Sequence, residues 1–219
     1  KLLLFVGTDG RPHDYEGNGC YLTKLLNEAV EIEAMFSQDY EVLATGLNLF
    51  DAVLFYTDDV GKLSQTQERG LLHFIEAGGG FVGLHTAASS FRDCESYHRM
   101  LNAFLDGHSP YMDFTVSIAD DSDPISAGLS TFEITDELYY LKHDPTRSHD
   151  LMRAYDGTKD ETHVVAFKHT YGSGRVFYFA LGLPAFALIK VFSSFFFANH
   201  DTKTPFYISL ASVLLNIFI

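Results

Sequence analysis

Leu2-Leu3-Leu4-Phe5-Val6 is an unbroken apolar run that stops at Gly7-Thr8-Asp9-Gly10. A short run without alternation, bounded by turn residues, predicts a strand buried on both faces, as in a parallel sheet. The pattern recurs at Ala52-Val53-Leu54-Phe55-Tyr56, closed by Thr57-Asp58-Asp59, and at Phe81-Val82-Gly83-Leu84, closed by His85. Between the first two runs, Leu22, Leu25, Leu26, Ala29 and Val30 share one helical face, predicting a helix over 21–30. Residues 32–36 read as a short edge strand. Ser64 and Gln67 have the spacing of a capping box, and Leu71, Leu72 and Ile75 form the buried side of the helix it opens. Gly78-Gly79-Gly80 ends that helix.

A further helix is predicted around 95–104, after which the pattern turns strand-like. Residues 114–119 alternate, Asp123-Pro124 makes a turn, and 132–141, 163–168 and 175–181 are strand candidates. Tyr171-Gly172-Ser173-Gly174 has the composition of a hairpin turn between the last two. Strands alternating with helices over the first 105 residues indicate βαβ units and a mostly parallel sheet in an α/β fold. No repeat or linker divides the chain, so residues 1–200 are expected to form one domain.

The end of the chain has a different character. Residues 181–198 and 205–219 are strongly apolar, but Gly182, Pro184 and Lys190 interrupt the first stretch, and the second has only 15 residues. A bilayer-spanning helix needs about 20 apolar residues. A packed helix followed by a buried or ill-formed tail over 201–219 is the expectation, ahead of a membrane-associated tail.

Composition narrows the function classes. Among 219 residues, 29 are acidic and 15 basic, for a net charge of -14. That field repels phosphate backbones and argues against nucleic acid as a partner. The two cysteines, Cys20 and Cys94, form no CxxC pair, which excludes a disulfide framework and a Cys-rich zinc site. Free thiols suit a reducing compartment, so a cytoplasmic protein is expected; Lys1 to Val6 is too short for the core of a secretion signal.

In an open α/β sheet, ligands bind outside the carboxyl ends of the strands. That rule selects the loop from Thr8 to Tyr15, the Thr57-Asp58-Asp59 turn and the segment from His85 to Ser89. In a doubly wound topology, His13, Asp58 and His85 become neighbours. Gly83-Leu84-His85-Thr86-Ala87 has the form of a nucleophile elbow with His in the middle. An imidazole there can act as base, acid or metal ligand, or it can simply stiffen the loop. His108 in Gly107-His108-Ser109-Pro110 is read as a loop imidazole, and Asp14 as a carboxylate beside His13. Glu137 in Asp136-Glu137-Leu138-Tyr139 is a candidate acid or base. His13, His85 and His108 could form an open zinc site, although no local zinc motif joins them. The other histidines read as surface or structural. There is no Walker A or GxGxxG arrangement, and neither cysteine sits in an elbow.

Taken in order, these pieces resemble the ThuA-like, or trehalose-utilisation, family. The matching residues are His13-Asp14-Tyr15, Tyr56-Thr57-Asp58, the stretch from Ala77 to His85, Gly107-His108-Ser109-Pro110, Asp123-Pro124-Ile125, Thr135-Asp136-Glu137-Leu138-Tyr139, and Tyr171-Gly172-Ser173-Gly174-Arg175-Val176 leading into Ala180-Leu181-Gly182. The resemblance covers residues 1–182. It implies a class I glutamine amidotransferase-like, flavodoxin-like three-layer sandwich, with His85 near the place of the amidotransferase cysteine. A thioester glutaminase is therefore not expected. It further implies a role in using trehalose or related disaccharides, including keto forms, as a hydrolase or isomerase.

On that reading His85 and Glu137 are catalytic, and Asp14, Asp58 and Tyr139 bind substrate. His13, His85 and His108 would hold a divalent metal, zinc first. The partner is a small sugar, and a homo-oligomer fits. A non-catalytic sugar-binding or interaction domain is the alternative. The family commonly continues Ala-Leu-Gly with His, whereas Leu183 follows Gly182 here, so a fourth site histidine is missing.

Overall fold

The computed structural model describes residues 1–8, 14–29, 32–58 and 61–182. Nine strands make one sheet. In chain order they are β1 (Leu2–Thr8), β2 (Ala34–Ser37), β3 (Ala52–Asp58), β4 (Gly80–Leu84), β5 (Phe104–Ile118), β6 (Phe132–Lys142), β7 (His149–Asp156), β8 (Glu161–Tyr171) and β9 (Gly174–Phe179). Among the described residues three α-helices accompany them: α1 (Tyr15–Glu28), α2 (Gln65–Glu76) and α3 (Glu95–Leu101).

The spatial order is β2-β1-β3-β4-β9-β8-β7-β5-β6. The four pairings from β2 to β9 are parallel, and the four from β9 to β6 are antiparallel. The sheet is therefore mixed, which corrects the expectation of a mostly parallel one. The parallel half reads as expected because its strands are sealed on both faces: Leu3, Leu4, Phe5, Val6, Val53, Leu54 and Phe55 are all buried. In the second half the β7–β8 and β8–β9 connections are short, and short connections join antiparallel neighbours. From β1 the chain moves outward to β2, then returns past β1 to β3. The carboxyl ends of β1 and β3 thus flank a topological switch point, where α/β sheets open a crevice. The register Thr8↔Asp58 sets Asp58 at that point.

Several elements differ from their predicted extents. The helix α1 begins at Tyr15 rather than at residue 21, because the Asp14 side chain accepts the Gly17 N–H at 2.8 Å and caps it. Glycines at 17 and 19 weaken the local helical signal. Gly19 is there for tertiary reasons, since a Cβ would stand 2.7 Å from Val6 and 2.8 Å from Phe36. The Ser64–Gln67 capping box forms as predicted. The strand β2 is indeed an edge strand. The strand β7 was not predicted; Leu151, Met152 and Ala154 bury it amid charged neighbours.

The largest departure is β5. Residues 104–116 pair with β6, and only Val116, Ser117 and Ile118 pair with β7. The β5–β6 ladder is thus an arm that extends beyond the rest of the sheet. Register shifts between Leu105 and Gly107, and between His108 and Tyr111, mark bulges, which bend and twist a ladder. His108 therefore lies inside a bulged strand and not in the loop expected for it. In a flat sheet β6 would stand roughly 24 Å from β4. Instead Tyr139 of β6 touches His85 at the end of β4, so the curled arm covers the carboxyl edge of the parallel half.

Candidate functional site

The register Leu84↔Phe179 makes His85 and Ala180 successors of paired residues. His85 takes φ +46° and opens a short 3-10 turn, His85–Ala88. Such backbone is uncommon for a side-chain-bearing residue and points to local over-determination. Its supports are visible. Tyr178 donates its hydroxyl to the His85 carbonyl at 2.7 Å, and the Tyr15 and Thr86 hydroxyls lie 3.0 Å apart.

The imidazole is held at both nitrogens. Nδ1 lies 2.9 Å from the Ala180 carbonyl oxygen. A carbonyl can only accept, so Nδ1 carries the proton. In the neutral ring Nε2 is then the acceptor, and the Tyr139 hydroxyl donates to it at 2.9 Å. The two rings stack at 4.5 Å and 21°. Tyr139 is 3% exposed. Burial pushes its phenol far above the ordinary value, and the nearby acidic groups Tyr178, Glu137, Tyr15 and Asp58 add to this. Burial likewise raises Tyr15 and Tyr178. All three phenols are therefore neutral at physiological pH.

The other expected residues distribute around this pair. Asp58 is buried, with the Ser89 hydroxyl 3.4 Å from its Oδ1. Beside it the Thr57 and Ser90 hydroxyls pair at 2.8 Å, and Tyr15 packs on Tyr56 at 4.7 Å. His108 lies beside Tyr139, their ring centres 6.2 Å apart. Its Nδ1–H donates to the Ser109 carbonyl at 2.8 Å and stands 3.7 Å from Glu137 Oε1. Both side chains of that pair are nearly half exposed, so it stabilises little. Asp14 is exposed and serves as the cap of α1. His13 lies outside the described residues.

The geometry thus gathers His85, Tyr139, Glu137, His108 and Asp58 at one rim, with Asp14 at the entrance to α1. It adds residues that the sequence did not single out. Tyr15 and Tyr178 brace the turn, and Asp136 is buried with its carboxylate on the Gly182 N–H at 2.7 Å. Asp136 sits in the same five-residue motif as Glu137, but adjacency to a candidate carries no information about depth.

For a metal the described donors do not converge. Nδ1 of His85 is spent on a carbonyl, its Nε2 receives Tyr139, and Nδ1 of His108 is spent on the Ser109 carbonyl. Among the described residues, the one group with three potential ligand atoms within 4.8 Å of one another is Asp120, Asp123 and His149. Its members are already engaged: Asp120 with His149 at 2.7 Å, and Asp123 with Lys168. Hydrogen bonds from Ser122 and then His149 push Asp120 down to about 2.

Away from the rim, His98, His143, His163 and His169 are all pushed below their ordinary value of 6.5, chiefly by burial. Nε2 of His98, His163 and His169 is buried without a hydrogen-bond partner, so the neutral ring is the folded form. When the protein unfolds below pH 6.5 these rings take up protons that the folded state refuses. Stability is therefore complete above pH 6.5 and declines as pH falls through the depressed values. The urea midpoint is expected to be lower at pH 5.5 than at pH 7.5. Acid also relieves repulsion within a chain of net charge -14; an unchanged or higher midpoint at pH 5.5 would mean that this relief dominates.

Residues 1–187 match the family model described as ThuA, trehalose utilisation. The chain belongs to the ThuA family. Its fold is that of a ThuA-like protein from Parabacteroides merdae, at 18% identity, with a TM-score of 0.70 over 82% of this chain and 79% of that one. A ThuA-like protein from Bacteroides uniformis also gives 0.70, at 14% identity, over 89% and 90% of the two chains. The cold-adapted β-galactosidase from Rahnella sp. R3 gives 0.63 at 12% identity, over 89% of this chain but 30% of the enzyme.

A second family model, the lipid II flippase MurJ, matches residues 166–219. One stretch of 38 residues is 58% identical to a lipid II flippase MurJ of Rickettsia prowazekii, covering 17% of this chain and 8% of the flippase. The apolar tail singled out above thus lies within the stretch that matches the flippase model. Residues 183–219, and the helix and tail expected there, lie outside the described residues. Among the described residues no helix is long and apolar enough to cross a membrane.

Proposed function

We propose that this ThuA-family protein processes a sugar, a trehalose-type disaccharide or its keto derivative, at the rim where β1, β3 and β4 end. The observation that carries the proposal is the His85–Tyr139 pair: an imidazole whose Nδ1–H is held by the Ala180 carbonyl and whose other nitrogen faces a buried hydroxyl. Sugar hydroxyls can exchange with that of Tyr139, since both donate to the same lone pair. His85 Nε2 then takes the proton from the carbon beside a keto group. The Tyr139 hydroxyl hydrogen-bonds the oxygen that gains charge, and Glu137 carries the proton that His85 has taken on to the product. Asp58 and Asp14 accept hydrogen bonds from the sugar. The chemistry is isomerisation or cleavage of the sugar derivative. No cysteine takes part: Cys20 is exposed on α1, and Cys94 lies just before α3. The placement of His85 after β4 supports the amidotransferase-like comparison, and free thiols support a cytoplasmic setting.

Zinc held by His13, His85 and His108 is the weaker form of this reading, because Tyr139 would have to leave Nε2 first. Metal analysis of untagged protein tests it. Zinc near one equivalent, lost in both His85→Asn and His108→Asn, supports the metal form; zinc well below one equivalent removes it. A second reading, a non-catalytic sugar-binding domain, is favoured by the occurrence of this fold as under a third of a β-galactosidase chain. Incubation with trehalose and with its keto derivative, followed by NMR of the sugar, separates the two. New carbon signals support catalysis. Calorimetric binding without product supports the domain, and neither binding nor product overturns both.

A further inference from the structure

The end of β9 is what orients His85, and it is itself held by a side chain from the far edge of the sheet. Ala180 supplies the carbonyl that accepts the His85 Nδ1–H. Two residues later the Gly182 N–H donates to Asp136 Oδ2 at 2.7 Å, while Asp136 Oδ1 accepts the N–H of Glu137 at 2.9 Å. Asp136 is 7% exposed. A Cβ on Gly182 would stand 3.1 and 3.2 Å from the two Asp136 oxygens and 3.4 Å from His85 Cε1. Strand end, carboxylate and imidazole thus meet around one point that only a glycine leaves open.

We propose that Asp136 is the positioning residue of the site: its carboxylate clamps the segment from Ala180 to Gly182 to the covering arm and thereby sets the His85 tautomer. The proposal rests on the reading of His85 as the reacting imidazole. Asp136 and Tyr139 lie on the same strand, β6. One strand therefore delivers the hydroxyl to Nε2 and, through β9, the carbonyl to Nδ1. Both nitrogens are fixed only while the β5–β6 arm is closed over the parallel half. The carboxylate suits this task because it accepts at both oxygens. An amide of the same shape must turn its NH2 toward one of the two backbone N–H groups.

The test is nitrogen NMR of the histidine rings in wild type, Asp136→Asn and Gly182→Ala. Wild type is expected to show His85 with a protonated Nδ1 and an unprotonated Nε2. Asp136→Asn is expected to lose that fixed pattern, giving averaged nitrogen shifts. Gly182→Ala keeps the carboxylate but crowds it, and should change the His85 signals in the same direction even where the Asn variant folds poorly. The rings of His149 and His163 should be unmoved in both. Turnover, where wild type shows it, should fall on the order of 10²-fold through kcat, since a misplacement of about 1 Å costs that much. Folded variants with unchanged His85 signals overturn the positioning role. Changed signals with unchanged turnover leave the role intact and overturn His85 as the reacting group instead.

Discussion

Replacement of His85 by asparagine is expected to lower turnover of a sugar substrate by about 10² to 10⁴-fold, the usual contribution of a positioned acid or base. Asparagine is the informative change because φ is +46° at this position. Asn tolerates the left-handed region, whereas alanine there adds backbone strain to the loss of the ring. The variant also loses the bonds to Ala180 and Tyr139. Each contributes about 1 kcal/mol net, so a modest fall in Tm accompanies the loss of activity. Turnover within a few-fold of wild type, in a variant that folds, would falsify the assignment.

Phe55→Ala has the largest expected effect on stability. Phe55 is fully buried in the middle of β3. Its ring meets Phe5 at 5.0 Å and Phe81 at 4.9 Å, with Phe91 at 6.2 Å and Tyr97 at 6.1 Å. These neighbours come from β1, β4, the turn after β4 and α3, so the ring ties the strands of the parallel half that end at the rim to α3. Truncation leaves a cavity that strands on either side cannot close, at a cost of about 3–5 kcal/mol. That is a large part of the 5–15 kcal/mol typical of a domain. Urea unfolding measures it directly. A loss under about 1 kcal/mol would show that the site's framework does not depend on this cluster.

These two positions also show how unevenly the sequence speaks. Phe55 is legible because a parallel strand buried on both faces leaves a continuous apolar run. His85 is legible because a strand end followed by small residues is where α/β proteins place chemistry. The capping box at Ser64 is equally local: both partners lie within one turn. By contrast, nothing near His108 announces that its segment is a bulged strand, and the glycines of α1 conceal a helix start that Asp14 restores. His13 and the tail beyond Gly182 lie outside the described residues.

The amino-acid sequence by itself determined the parallel half of the sheet, the rim at which polar side chains collect and the family to which the chain belongs, because each is written in short-range pattern or ordered motifs. The curl of the β5–β6 arm was decided only by tertiary structure. That curl brings Tyr139 onto His85 across five strand positions and Asp136 onto Gly182 across four. Pairings of that range depend on bulges, twist and the packing of distant faces, and no local run of residues encodes them.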